Sequence, residues 1–165
     1  MQEKIKVLMV CHGNICRSPM AEFILKDMIT RRGIAADFSI ASAATSNEEI
    51  GNNIYPPAKA ELARHGIGTE RLRAEVAEKT ARRIRRSDYA EYDYLIAMEN
   101  YNIRNMRREF GDDPENKICR LLDFTDRPGD IDDPWYTRKF DVTYEQIVVG
   151  CEALLEKLGY ERLLM

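Results

Sequence analysis

A chain of 165 residues, 44% of them apolar and 32% charged, is long enough to bury one sizeable core without disulfide or metal staples. Its 25 basic and 28 acidic residues are interspersed and leave a net charge of -3, which gives no electrostatic footprint for nucleic acid or an anionic membrane. The opening apolar run is too short for a signal peptide, and no run elsewhere reaches spanning length, so a single cytoplasmic domain is expected.

In chain order, Ile5, Val7, Leu8, Met9 and Val10 form a short apolar run suited to a strand buried on both faces of a parallel sheet. The loop Cys11 to Ser18 follows. Ser18 is the expected N-cap and Pro19 the expected first residue of a helix carrying Ala21, Phe23, Ile24, Met28 and Ile29, with Gly33 as its stop. Phe38 to Ala41 reads as a second strand, Tyr94 to Met98 as a third and Ile118 to Leu122 as a fourth. Helices are expected from Pro56–Pro57 through Arg64, over part of Arg82 to Tyr92, and from Asn100 to Phe110. A closing helix carries Tyr144, Ile147, Val148, Cys151, Leu154, Leu155 and Leu158 at steps of three and four. This alternation predicts an α/β fold, a parallel sheet covered by helices on both faces with ligands at the carboxyl ends of its strands.

The loop between the first strand and first helix reads Cys11-His-Gly-Asn-Ile-Cys-Arg-Ser18. Unpaired N–H groups of such a loop and of the first helical turn converge on one small space, and the helix dipole makes that space favourable to anions. Cys11 would lie beneath the anion, where donors and a nearby cation lower a thiol pKa from about 8.5 by one or more units. Arg17 offers a planar fork for two phosphoryl oxygens and keeps its proton. Gly13 permits a tight backbone path, and Asn14 tolerates left-handed geometry. Ser18 either donates to the thiolate or caps the helix.

Far downstream stands Asp132-Asp-Pro-Trp-Tyr136. Displacing a phenoxide from phosphorus is faster when an acid protonates the leaving oxygen, and the same group then activates water. Asp133, held by the following proline, is the candidate, with Asp132 as the competing neighbour. Trp135 and Tyr136 would form an aromatic wall beside the leaving group. The four cysteines are too few for a secreted scaffold and lack metal-ligand pairing; Cys119 and Cys151 read as core.

The run Val10-Cys-His-Gly-Asn-Ile-Cys-Arg-Ser-Pro-Met-Ala-Glu22 resembles the signature of the low-molecular-weight protein tyrosine phosphatases, and Asp132 to Tyr136 resembles that family's acid loop. Ile40 to Thr45, His65 to Ile67 and Tyr92 to Met98 fall in family order, so the resemblance spans nearly the whole chain. It implies a three-layer α/β/α domain with a four-stranded parallel sheet in order 2-1-3-4. It also implies hydrolysis of phosphotyrosine proteins or peptides, and of aryl phosphates, through a phosphocysteine intermediate. Inorganic phosphate would be the product, and no metal or organic cofactor would be needed. It assigns Cys11, Arg17 and Asp133 to catalysis. His12 would face the substrate ring, and Ser42 and His65 would join Asn14 and Ser18 in a network supporting the loop. Cys16 would be able to capture an oxidised Cys11 as a reversible disulfide. Read alone, His65 before Gly66 is a helix C-terminal residue favourable to the dipole.

The chain departs from the pattern at residues 68–80, a charged excess expected to be a surface insertion, at Glu48, where some members carry an aromatic, and at Glu99, where Asp is frequent. Related arsenate reductases relay electrons through further cysteines, and Arg64 to Met98 contains none. Related arginine phosphatases carry Thr where this chain has Ile15, whose apolar bulk suits an aryl phosphate; phosphoarginine is the alternative substrate. A phosphoprotein-binding module without turnover is the non-enzymatic alternative, disfavoured because anion binding alone needs no nucleophile.

Overall fold

The computed structural model describes residues 3–160. Strand β1 (Ile5–Cys11) is central, flanked by β2 (Phe38–Ala44) and β3 (Tyr94–Ala97), with β4 (Ile118–Arg120) beyond β3. All pairings are parallel, and the order is β2-β1-β3-β4, as expected. The helices are α1 (Arg17–Arg31), α2 (Pro56–Arg64), α3 (Arg73–Glu78), α4 (Asp88–Glu91), α5 (Asn100–Phe110), α6 (Pro134–Thr137) and α7 (Phe140–Lys157).

Side chains of a strand alternate between faces, and β1 shows the consequence. Val7, Met9 and Cys11 pack into the larger core with α1, α2 and α7, whereas Leu8 and Val10 pack with Ala43, Ile84, Leu95 and Met106 on the α4–α5 face. The same period therefore places Cys11 on the side from which α1 begins. Helix α7 crosses the single-turn 3-10 segment Leu121–Phe124 at Gly150, where an added Cβ would lie 2.5 Å from Leu121 Cγ. That close approach accounts for a glycine inside a helix, where it costs about 0.5–1 kcal/mol relative to alanine.

Several boundaries differ from expectation. Cys11 is the last residue of β1 rather than the first beyond it. Helix α1 starts at Arg17, so Ser18 is its second residue and not its N-cap, and Pro19 its third. Proline is tolerated there because the first four N–H groups of a helix have no intrahelical partner anyway. The fourth strand stops at Arg120, because Leu121 and Leu122 turn into the 3-10 segment. The helix expected over part of Arg82 to Tyr92 is present as Asp88–Glu91. Arg82 and Ile84 instead bond the backbone of Ala44, extending the edge of β2.

Residues 68–80 are only partly a surface excursion. Val76 is buried in the larger core, and Arg71 forks onto Asp27 of α1 and donates to the His65 carbonyl at 2.7 Å. Lys79 turns inward behind the Cys11 loop. Charge composition suggested solvent, but apolar Val76 and specific counter-charges anchor the segment.

Candidate active site

The loop after β1 is shaped by where its carbonyls go. Thr45 N–H donates to Cys11 O at 3.0 Å, Ser46 N–H to His12 O at 3.1 Å, Tyr55 N–H to Ile15 O at 2.9 Å and Met20 N–H to Cys16 O at 3.0 Å. Those carbonyls are thus occupied by neighbouring segments. The N–H groups of Asn14 and Ser18 point instead at Cys11 Sγ, at 3.3 and 3.4 Å. Asn14 adopts φ 59°, the left-handed geometry that lets the chain curl, whereas Gly13 does not have positive φ. A Cβ on Gly13 would make ordinary contacts with Glu49 and Ile15, so the protein's own atoms do not demand glycine there.

Cys11 is 3% exposed, and its sulfur lies 3.0 Å from Ser18 Oγ. Asn14 Nδ2 donates to Ser18 Oγ at 2.7 Å and to Ser42 Oγ at 2.9 Å, and Asn14 Oδ1 accepts from Arg82 N–H at 3.2 Å. Ser42 Oγ in turn donates to Glu22 Oε1. His65 does not belong to this network, contrary to the expectation. It lies at the end of α2, bonds Glu61 at 3.0 Å and stacks on Tyr144 with ring centroids 3.7 Å apart. Ser42 is approached instead by Asn14 and Glu22 at its hydroxyl and by Lys79 at its carbonyl.

Arg17 is 2% exposed, and its Nη1 donates to Glu99 Oε2 at 2.7 Å and to Ile131 O at 3.0 Å. Its Nη2 reaches Asp133 Oδ2 at 3.3 Å. Burial works against the guanidinium charge, but Cys11, Asp133 and Glu99 outweigh it and raise the pKa above the usual arginine value. Glu99 thereby fixes the clamp. Asp133 also accepts from Trp135 N–H at 3.0 Å, capping α6, with Pro134 at its first position. Asp132 bonds Gln146 of α7.

One cavity is lined by Cys11, His12, Gly13, Ile15, Cys16, Arg17, Glu48, Glu49, Asp133, Trp135 and Tyr136. Ser18, Asn14 and Ser42 lie beneath it. His12 Nε2 pairs with Glu48 at 2.9 Å on the rim. Trp135 is 45% and Tyr136 81% exposed, and Trp135 leans on Tyr55 at 4.8 Å between centroids. Cys16 is buried, and burial, followed by the charge of Cys11, pushes its thiol far above the ordinary range. Among the described residues no cluster of His, Cys, Asp or Glu is arranged to hold a metal.

The family model of low molecular weight phosphotyrosine protein phosphatases matches residues 6–163. The chain belongs to that family. Among phosphatase relatives, the low molecular weight protein-tyrosine-phosphatase YfkJ of Bacillus subtilis is 36% identical over 160 residues, covering 96% of this chain and 98% of the relative. The human low molecular weight phosphotyrosine protein phosphatase is 36% identical over 159 residues, covering 92% and 94%. The crystal structure of YfkJ superposes with a TM-score of 0.87 at 35% identity over 98% of this chain and 99% of that one. A Streptococcus pyogenes phosphatase gives a TM-score of 0.79 at 34% identity, covering 93% of each chain.

Sequence reasoning missed the role of Glu99, named there only as a departure from the family's Asp, and the Ile131 carbonyl, which together hold Arg17; Tyr55, which backs Trp135; and Lys79 with Glu22 beneath the loop. Glu22 lies inside the Val10 to Glu22 signature, and an acidic residue beside the apolar positions of the first helix is the available signal.

Proposed function

We propose that this phosphatase family member hydrolyses phosphotyrosine in proteins or peptides through a phosphocysteine intermediate. The observation that carries this is the convergence of Cys11, Arg17 and Asp133 on one cavity walled by Ile15, Trp135 and Tyr136. Cys11 Sγ attacks phosphorus, the S–P bond forms and the P–O bond to the tyrosine breaks. Arg17 and the loop N–H groups face the equatorial oxygens as charge develops, where preorganised donors in a dry site act most strongly. Asp133 gives its proton to the departing phenolate. It then takes a proton from water, whose oxygen attacks phosphorus and releases phosphate and the thiolate.

Apolar Ile15, buried to 8% exposure, lines the space a phenyl ring would fill and favours it over a cationic guanidinium. The test is rapid quenching during turnover of phosphotyrosyl and phosphoarginyl peptides with EDTA present. Phosphate trapped on Cys11, with the tyrosyl peptide preferred, is expected. Turnover without label on Cys11 refutes the mechanism, and arginyl preference refutes the substrate class.

Cys16 serves in this proposal as the neutral thiol that rescues an oxidised nucleophile. Peroxide converts Cys11 to a sulfenic acid, which condenses with the Cys16 thiol to form a disulfide and release water. Peptide mapping after peroxide should find Cys11 joined to Cys16, and irreversibly oxidised Cys11 beside free Cys16 would contradict it.

A further inference from the structure

A buried carboxylate behind the phosphate loop needs counter-charges. Glu22 is 4% exposed, and Lys26 of the next helical turn donates to its Oε2 at 2.6 Å. The second cation is Lys79, brought in from residues 68–80. Its Nζ donates to the Ser42 carbonyl at 3.1 Å and lies 3.7 Å from Glu22 Oε1, with the side chain 13% exposed. Burial depresses the Lys79 ammonium below the usual lysine range while Glu22 opposes that shift; Arg82 and Lys26 add to the depression, and each is itself paired with a carboxylate, Arg82 with Asp88 and Lys26 with Glu22.

The hydrogen-bond polarity from Glu22 to the nucleophile follows from donor counting. An ionised carboxylate only accepts, so the one hydroxyl hydrogen of Ser42 is committed to Glu22. Ser42 Oγ then faces Asn14 as an acceptor, which fixes the amide with Nδ2 toward Ser42 and Ser18 and Oδ1 toward Arg82 N–H. Ser18 Oγ accepts from Asn14, so its one hydrogen is shared between Cys11 Sγ at 3.0 Å and the Ala43 carbonyl at the longer 3.5 Å, and a thiolate, which can only accept, takes it. Lys79 and Glu22 lie at the far end of this chain.

We propose that Lys79 is a positioning residue that acts through Glu22, holding it as an acceptor and so orienting Ser42, Asn14 and Ser18 to donate toward Cys11. The proposal rests on Cys11 being the nucleophile, and it makes the 68–80 segment part of the catalytic support. The segment is tied in at both ends, by Arg71 on Asp27 and by Ala81 N–H on Asn52 O at 2.8 Å.

The test measures the rate of Cys11 alkylation by iodoacetate at one fixed neutral pH, which needs no substrate turnover. It also measures kcat and KM on an aryl phosphate. Lys79→Met should slow alkylation and lower kcat about tenfold, the scale of a charge-assisted hydrogen bond, with KM little changed. Lys79→Arg should restore most of both, because it supplies the same charge. In a Glu22→Gln background, Lys79→Met should have no further effect, since the carboxylate it serves is gone. Wild-type alkylation and kcat in folded Lys79→Met overturn the proposal. So does an equal loss in the Glu22→Gln background, which is readable even where single Lys79→Met fails to fold. Absence of phosphatase activity with a Lys79-dependent alkylation rate would refute the phosphatase reading and leave this one standing.

Discussion

The floor and the wall of the cavity are built on opposite plans. The floor, Cys11 and Asn14 to Ser18, is buried, and its groups are held by backbone and side chains from β2, α1 and residues 79–82. The wall, Asp133 to Tyr136, is a four-residue helix and its cap, with two aromatic rings open to solvent. Charge on phosphorus-bound oxygen develops at the same place for every substrate, so fixed donors can be preorganised for it. In the proposed mechanism the leaving group varies, and a wall that only caps and stacks would accept different aryl groups. Arg17 joins the two, with one nitrogen on Glu99 and Ile131 and the other on Asp133.

The comparison breaks most completely at the floor. Cys11→Ser should abolish hydrolysis of every aryl phosphate, whatever its leaving group, in a steady-state assay; appreciable turnover would remove Cys11 as nucleophile. At the junction of floor and wall, Asp133→Ala should slow hydrolysis by about 10²- to 10⁴-fold. That loss should shrink as the leaving phenol becomes more acidic, because a stable phenolate needs no proton. Asp132→Ala should stay close to wild type in the same series, since its carboxylate is turned to Gln146. Trp135→Ala should be the mildest change. It should raise KM for aryl phosphates by a few-fold to about tenfold, the scale of one aromatic contact, with kcat largely kept. A Trp135→Ala enzyme that lost kcat instead would show that the wall also shapes the floor.

What the sequence disclosed follows chain locality. Cys11, Asn14, Arg17 and Ser18 lie within one loop between two strongly patterned elements, so spacing alone placed them around one space. Asp133 was legible because proline and two aromatics follow it. The roles of Glu99 and Ile131 were not, since their bonds to Arg17 span 82 and 114 residues; Glu99 stood out only as a departure from the family's Asp, and nothing local marks Ile131. The assignment of His65 failed for a related reason. A histidine before glycine at the end of a helix matches a family position, yet its ring bonds Glu61 through Nε2 and stacks on Tyr144, with no bond to Ser42 among the described contacts. The charged segment 68–80 looked solvated because composition does not reveal that one lysine in it meets a buried carboxylate. The four parallel strands were readable because fully buried strands need continuous apolar runs, whereas the ends of α1 and β4 depended on backbone bonding that side-chain pattern does not encode.

The carbonyls of Cys11, His12, Ile15 and Cys16 turn away from the cavity floor, where the backbone presents the N–H groups of Asn14 and Ser18. With oxygen atoms of the loop backbone spent on neighbouring segments, chain path and the buried Arg17 guanidinium together favour an anion at the floor, while Asp133, Glu48 and Glu49 line the rest of the cavity. Side-chain evolution at the rim, as at Glu48, Glu49, Trp135 and Tyr136, can therefore change which molecule is presented without altering which ionic shape is accepted.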